Sequence, residues 1–129
     1  MLKIIYKGLT FVSYRIQWAM RLEKVKEIEL YTTKKGEQPF GVWLDSLKDK
    51  VSRYRIKERL DRVTLGNMGD HKYLSDGISE LRLDFGPGYR IYFAEEGTKI
   101  VFLLCGGNKT SQKKDIKKAI AYWKDYLSR

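Results

Sequence analysis

Arg82, Arg90 and Lys109 are the residues of this chain best suited to chemistry on a phosphate. Arg82 alternates with Leu81 and Leu83 in one strand pattern, and Arg90 alternates with Ile91 in the next. Lys109 follows Gly106-Gly107 at the end of a third. Two guanidinium groups and an ammonium gathered on one sheet face make a cradle for phosphate, because the planar arginine fork meets two phosphate oxygens at once. A sheet built for stability alone has no need of both arginines there. The glycine pair lets backbone approach a ligand closely, and it sets Lys109 just before a helix N-terminus, where the dipole also favours an anion. Two blander roles stand beside this one: Arg82 in a cross-strand ion pair with a neighbouring carboxylate, and Arg90 as a structural part of a Gly-Tyr-Arg hairpin.

These residues need a sheet to hold them, and the pattern supplies one. Leu81, Leu83 and Phe85 alternate with Glu80, Arg82 and Asp84, the period of a half-buried strand. Gly86-Pro87-Gly88 is a turn, since glycine accepts positive φ and proline presets φ near −65°. Tyr89 to Ala94 makes the second strand. Ile100 to Cys105 is apolar throughout, as in a strand covered on both faces, and is expected to end at Gly106-Gly107. Cys105 reads as a buried small hydrophobe.

Upstream, Val25 to Thr32 reads as an early strand. Pro39 suits a first helical turn, and Phe40, Trp43, Leu44 and Leu47 repeat with helical spacing over 38–47. Asp49 caps a second helix over about 49–65, with Val51, Ile56, Leu60 and Val63 as its buried stripe. Arg53, Arg55, Lys57, Arg59 and Arg62 form its solvated face. Residues 66–73 read as an open, glycine-punctuated loop carrying His71 and Lys72. Downstream, Thr110 or Ser111 caps a last helix whose inner face holds Ile116, Ala119, Ile120, Trp123 and Leu127.

The chain has 129 residues, enough for one domain with a modest core, and a formal charge of +10. A balance so far from neutral points to a polyanionic partner and says nothing about fold. One cysteine cannot form an internal disulfide, one histidine with one cysteine makes a poor nucleophile pair, and no zinc-type spacing occurs. Residues 1–20 are too short and too charged to span a bilayer, and Lys7 and Arg15 break the apolar run that a signal peptide needs. We expect them to be a non-core extension, with Met20 as an alternative initiator, and 21–129 to be one cytoplasmic domain.

Four ordered motifs then carry a family resemblance. They are Gly66-Asn67-x-Gly69-Asp70-x-Lys72, Gly77-Ile78-x-Glu80-Leu81-Arg82, Gly86-Pro87-Gly88-Tyr89-Arg90-x-Tyr92, and Leu103-Leu104-Cys105-Gly106-Gly107-x-Lys109-x-x-Gln112-x-x-Asp115-Ile116. With Pro39-Phe40-x-x-Trp43-Leu44 and Arg55-Ile56-x-x-Arg59-Leu60-x-Arg62, they resemble the HigB-like addiction-module killer proteins, the phage-derived Gp-forty-nine-like group of the RelE/ParE toxin superfamily. The resemblance covers about residues 27–129. It implies an α+β fold, with two N-terminal helices and a C-terminal helix packed on a small, mostly antiparallel sheet. It also implies a cytoplasmic toxin silenced by a cognate antitoxin, often of helix-turn-helix type, that cleaves mRNA on the ribosome without metal or other cofactor. In that reaction the ribose 2′-hydroxyl attacks the adjacent phosphorus and leaves a cyclic phosphate.

Such a cleavage needs a base, an acid and cations for the charge growing on phosphorus. Under the resemblance Arg82, Arg90 and Lys109 are the cations. Lys72 or Lys109 serves in proton transfer if neighbouring charges lower an ammonium pKa of about 10.4, and His71 is the alternative with the better native pKa. Gln112 and Asp115, one helical turn apart, orient phosphate or ribose, although Asp115 is equally a first-turn acid answering the helix dipole. Tyr92 stacks on a base or is buried against a helix. His71, Tyr92, Lys113, Lys114 and Lys117 are the expected RNA contacts. Some superfamily nucleases carry a tyrosine or histidine in the last helix where this chain offers Asp115, with Tyr122 two turns on. The ParE branch shares the fold and acts on DNA gyrase, so a gyrase inhibitor and a non-catalytic nucleic-acid binder remain as alternatives.

Overall fold

The computed structural model describes residues 25–129. The order is β1 (Glu27–Leu30), α1 (Pro39–Ser46), α2 (Lys50–Thr64), β2 (His71–Ser75), β3 (Ile78–Leu83), β4 (Tyr89–Glu96), β5 (Ile100–Asn108) and α3 (Gln112–Leu127). The strands form one sheet in the order β1-β5-β4-β3-β2, with β1 parallel to β5 and every other pairing antiparallel. This is an α+β fold with a mostly antiparallel sheet, as expected. The proposed extension at 1–20 lies outside the described residues. Among the described residues no helix is long and apolar enough to cross a membrane.

Both sheet faces are covered. On one, Leu81, Leu83, Ile91, Phe93, Val101 and Leu103 pack against Phe40 and Leu44 of α1 and Ile56 and Val63 of α2. On the other, Ile78, Tyr92, Ala94, Phe102 and Leu104 pack against Ala119 and Trp123 of α3. The half-buried reading of β3 therefore needs correction: the face carrying Glu80 lies under α3, and Glu80 itself is only 2% exposed.

The helix starts follow the sequence. Pro39 occupies the first turn of α1, and the Asp49 carboxylate accepts the Val51 amide at the start of α2. Two stripe residues do not: Val51 and Leu127 are exposed. Ser111 holds the N-cap position of α3 without a side-chain capping bond. Its hydroxyl donates to Asp115 instead, while the Asn108 side-chain oxygen accepts the Thr110 and Ser111 amides.

Arg59 departs furthest from its expected place on a solvated face. It is 8% exposed, and its guanidinium donates to the carbonyls of Met68, Asp70 and Arg82. It thereby fastens the 66–70 loop to β3. Gly69 lies so close that a Cβ there would come 2.9 Å from the guanidinium nitrogens, and its φ is +65°. Arg53 is not free either, because it donates to the Leu47 carbonyl.

The expected loop at 66–73 ends sooner, since His71, Lys72 and Tyr73 belong to β2. Asp76 and Gly77 both have positive φ, and Ser75 pairs with Ile78, so a two-residue turn joins β2 to β3. Nor does Gly106-Gly107 break β5. The strand runs through it to Asn108. Leu103 pairs with Phe93 and Cys105 with Tyr92, leaving Leu104 as the extra residue of a bulge. After that bulge Gly106 faces Trp43 of α1, and Gly107 faces Asp115 of α3. A Cβ on Gly106 would come 2.3 Å from the Trp43 ring, and one on Gly107 would come 1.8 Å from Asp115 Oδ2.

Candidate functional site

Strand register brings the two arginines together. Arg82 pairs directly with Arg90, and Arg90 pairs with Gly107 on its other side. Like charges opposite one another across a ladder destabilise it. Here each guanidinium has a carboxylate beside it. Arg82 Nη2 and Nε lie 2.9 and 3.2 Å from Asp70 Oδ1. Arg90 Nε lies 3.7 Å from Glu80 Oε2. The cross-strand ion pair considered for Arg82 is therefore present, supplied by the residue before β2.

Arg82, Arg90 and Lys109 all line one open groove of about 540 Å³, together with Asp70, Asp84 and the Gly86-Pro87-Gly88 turn. The hairpin closes the groove on one side, with the Gly88 amide donating to the Phe85 carbonyl. The loop from β5 to α3 brings Lys109 over Gly88. The groove is thus mixed in charge, three cations with two carboxylates, and not purely cationic. Alternation along single strands does not reveal Asp70 and Glu80 as the partners of these arginines. A usable signal for Glu80 was its position two residues before Arg82 in a hairpin, diagonal to Arg90 and within reach of a long side chain.

The other expected site residues fall elsewhere. Lys72 is exposed on edge strand β2, opposite Glu80, and does not line the groove. His71 pairs with Leu81, so it belongs to the opposite sheet face from Arg82, and its Nδ1 lies 2.9 Å from the Gly69 carbonyl oxygen. Tyr92 is fully buried and cannot stack on a base; burial pushes its hydroxyl above the ordinary tyrosine range, and the nearby Glu80 carboxylate adds to this. Gln112 is half-buried and donates to Glu80 Oε2 at 3.2 Å. Asp115 is buried against Gly107 and accepts the Ser111 hydroxyl. It lines a second groove of about 490 Å³ between α1 and α3, which holds Lys118 and Tyr122 but none of the arginines. Lys113, Lys114 and Lys117 are exposed on the outer side of α3. Among the described residues no group of three His, Cys, Asp or Glu side chains could hold a metal ion.

No family model matches the chain. Over 80 residues it is 48% identical to a protein of Haemophilus influenzae described as uncharacterized, a match spanning 62% of this chain and 81% of that relative. Identity of that degree over most of the relative's length places this chain in the same family as the Haemophilus influenzae protein.

Proposed function

We propose that this chain is the toxin of a toxin–antitoxin pair, built on a RelE/ParE-type fold, and that it cleaves mRNA on the ribosome. The observation that carries this reading is the convergence of Arg82 from β3, Arg90 from β4 and Lys109 from the β5–α3 loop on one open groove. The ordered motifs that resemble HigB-like killer proteins supply these three residues. The element order, two helices between β1 and β2 and one helix after the sheet, is compatible with that scaffold.

In the proposed reaction the scissile phosphate lies in the groove, and attack of the 2′-hydroxyl on phosphorus concentrates negative charge on the non-bridging oxygens. Preorganised guanidinium and ammonium donors stabilise that charge more than the ground state. Asp84 is exposed and makes no ion pair among the described residues, so it is the groove carboxylate available to accept the 2′-hydroxyl proton. Lys109 is exposed at the groove and supplies the proton to the leaving 5′-oxygen. Arg82, already paired with Asp70, exchanges that carboxylate for phosphate on binding. The partners in this reading are the ribosome with its mRNA and a cognate antitoxin, of helix-turn-helix type, that presents carboxylates to the groove.

Expression of the protein alone in cells, with mapping of mRNA ends, tests the proposal. Cuts within translated frames are expected from the wild type and not from Lys109→Ala. DNA damage without RNA cuts would replace the nuclease reading with gyrase inhibition, and neither effect would leave a nucleic-acid binder.

A further inference from the structure

A carboxylate as buried as Glu80 is costly in lost hydration unless it is paired and hydrogen-bonded. Its partners come from two other elements: Arg90 of β4 and Gln112 in the first turn of α3. Arg90 is held on two edges. Nε faces Glu80, and Nη1 donates to the carbonyls of Tyr89 at 3.2 Å and Gly88 at 3.4 Å. Nη2 makes no hydrogen bond among the described residues, and Arg90 lines the groove. Arg82, directly across the ladder, repels Arg90. Asp70 draws Arg82 toward the β2 side, and Glu80 lies deeper, under α3.

We propose that Glu80 is a positioning residue: clamped by Gln112, it fixes the Arg90 guanidinium so that Nη2 faces a phosphate oxygen in the groove. The inference rests on the reading of that groove as a phosphate site. Glu80 touches no substrate and acts through Arg90. At 3.7 Å the Nε–Oε2 contact is longer than a hydrogen bond, and Arg90 Nε has no hydrogen-bond partner among the described residues. The charge of Glu80 is therefore what orients the guanidinium, and a neutral isostere of the same shape should release it.

The arginine Nε–Hε signals in ¹⁵N–¹H spectra test this without reference to activity, with Arg90 assigned by its loss in Arg90→Lys. In the wild type the Arg90 signal should be narrow and exchange slowly with solvent. In Glu80→Gln it should broaden and exchange about tenfold to a hundredfold faster, and turnover of ribosome-bound mRNA should fall by a similar factor with KM little changed, the pattern of a misplaced transition-state contact. A merely structural Glu80 would lower the melting temperature and leave both the Arg90 signal and kcat of the folded protein unchanged. That result overturns the proposal. Should Glu80→Gln not fold, Gln112→Ala decides by the same signal, with faster Arg90 exchange expected and unchanged exchange contradicting the clamp. A wild-type protein that cuts no RNA would remove the nuclease reading, while the Arg90 signal still decides whether Glu80 positions the guanidinium.

Discussion

Arg59 and Lys57 stand two positions apart on α2 and meet opposite surroundings. Lys57 is exposed, whereas Arg59 satisfies three backbone carbonyls from beneath the 66–70 loop. Hydrogen bonds from a charged donor contribute about 1.5–3 kcal/mol each, and unpaired buried carbonyls add a penalty. Non-additivity and re-entry of water reduce the sum, so Arg59→Ala should lose about 2–4 kcal/mol in urea denaturation, while Lys57→Ala stays within about 0.5 kcal/mol. Composition hides this difference, because six basic residues in one helix look alike until the loop they face is known. Cys105 gives a pH-dependent counterpart. Burial, then the nearby Asp115, pushes its thiol from 9.0 up to about 12. A folded pKa raised above the unfolded one gives stability that is complete below pH 9 and lost as pH rises toward 12. The loss should be about 1 kcal/mol by pH 10. Cys105→Ala should flatten stability between pH 9 and 10 in denaturant titrations, and an unchanged slope would mean that the thiol ionises freely in the fold.

The elements show what periodicity can and cannot reveal. Leu81 and Leu83, the Gly86-Pro87-Gly88 turn, Pro39 at the start of α1 and Asp49 before α2 are local signals, and each was legible. Strand β2 was not, because its exposed edge residues lack apolar alternation, although Asp76-Gly77 is a hairpin signal that could have marked it. The glycine pair suggests a break because glycine usually punctuates. Here it serves close approach, with α1 against one glycine and α3 against the next, and the bulge at Leu104 sets which faces which. Gly107→Ala should therefore cost more than the roughly 1–3 kcal/mol of ordinary overpacking, because the new methyl meets Asp115. In an Asp115→Ala background the same change should cost at least about 1 kcal/mol less, a coupling that a double-mutant cycle measures directly. Additive losses would mean that α3 can shift away from β5 freely.

Across the whole molecule, a formal charge of +10 predicts a polyanionic partner but does not locate its site. Many of the lysines and arginines lie on outer helix faces, among them Arg55, Lys57, Lys113 and Lys117. The groove is distinguished by convergence from three segments, not by charge density, and three of the expected site residues meet there while Lys72, His71, Tyr92, Gln112 and Asp115 do not line it. Convergence of this kind depends on register: the hairpin sets Arg82 beside Arg90, and the end of β5 carries Lys109 to the same place. Alternation along single strands could put the arginines on one face, but it could not show that α3 covers that face and buries Glu80. Lys109 offers the most direct test, since it is exposed, lies outside the strands and can be truncated without disturbing the core. The measurement is single-turnover cleavage of mRNA on programmed ribosomes by Lys109→Ala, with Lys57→Ala as control and circular dichroism confirming the fold. Lys109→Ala should slow cleavage about 100- to 1,000-fold, the usual loss for one transition-state electrostatic contact, while Lys57→Ala keeps the wild-type rate. A Lys109→Ala rate within about threefold of wild type, in a folded protein, is too small for such a contact and would contradict the assignment of this groove as the catalytic site.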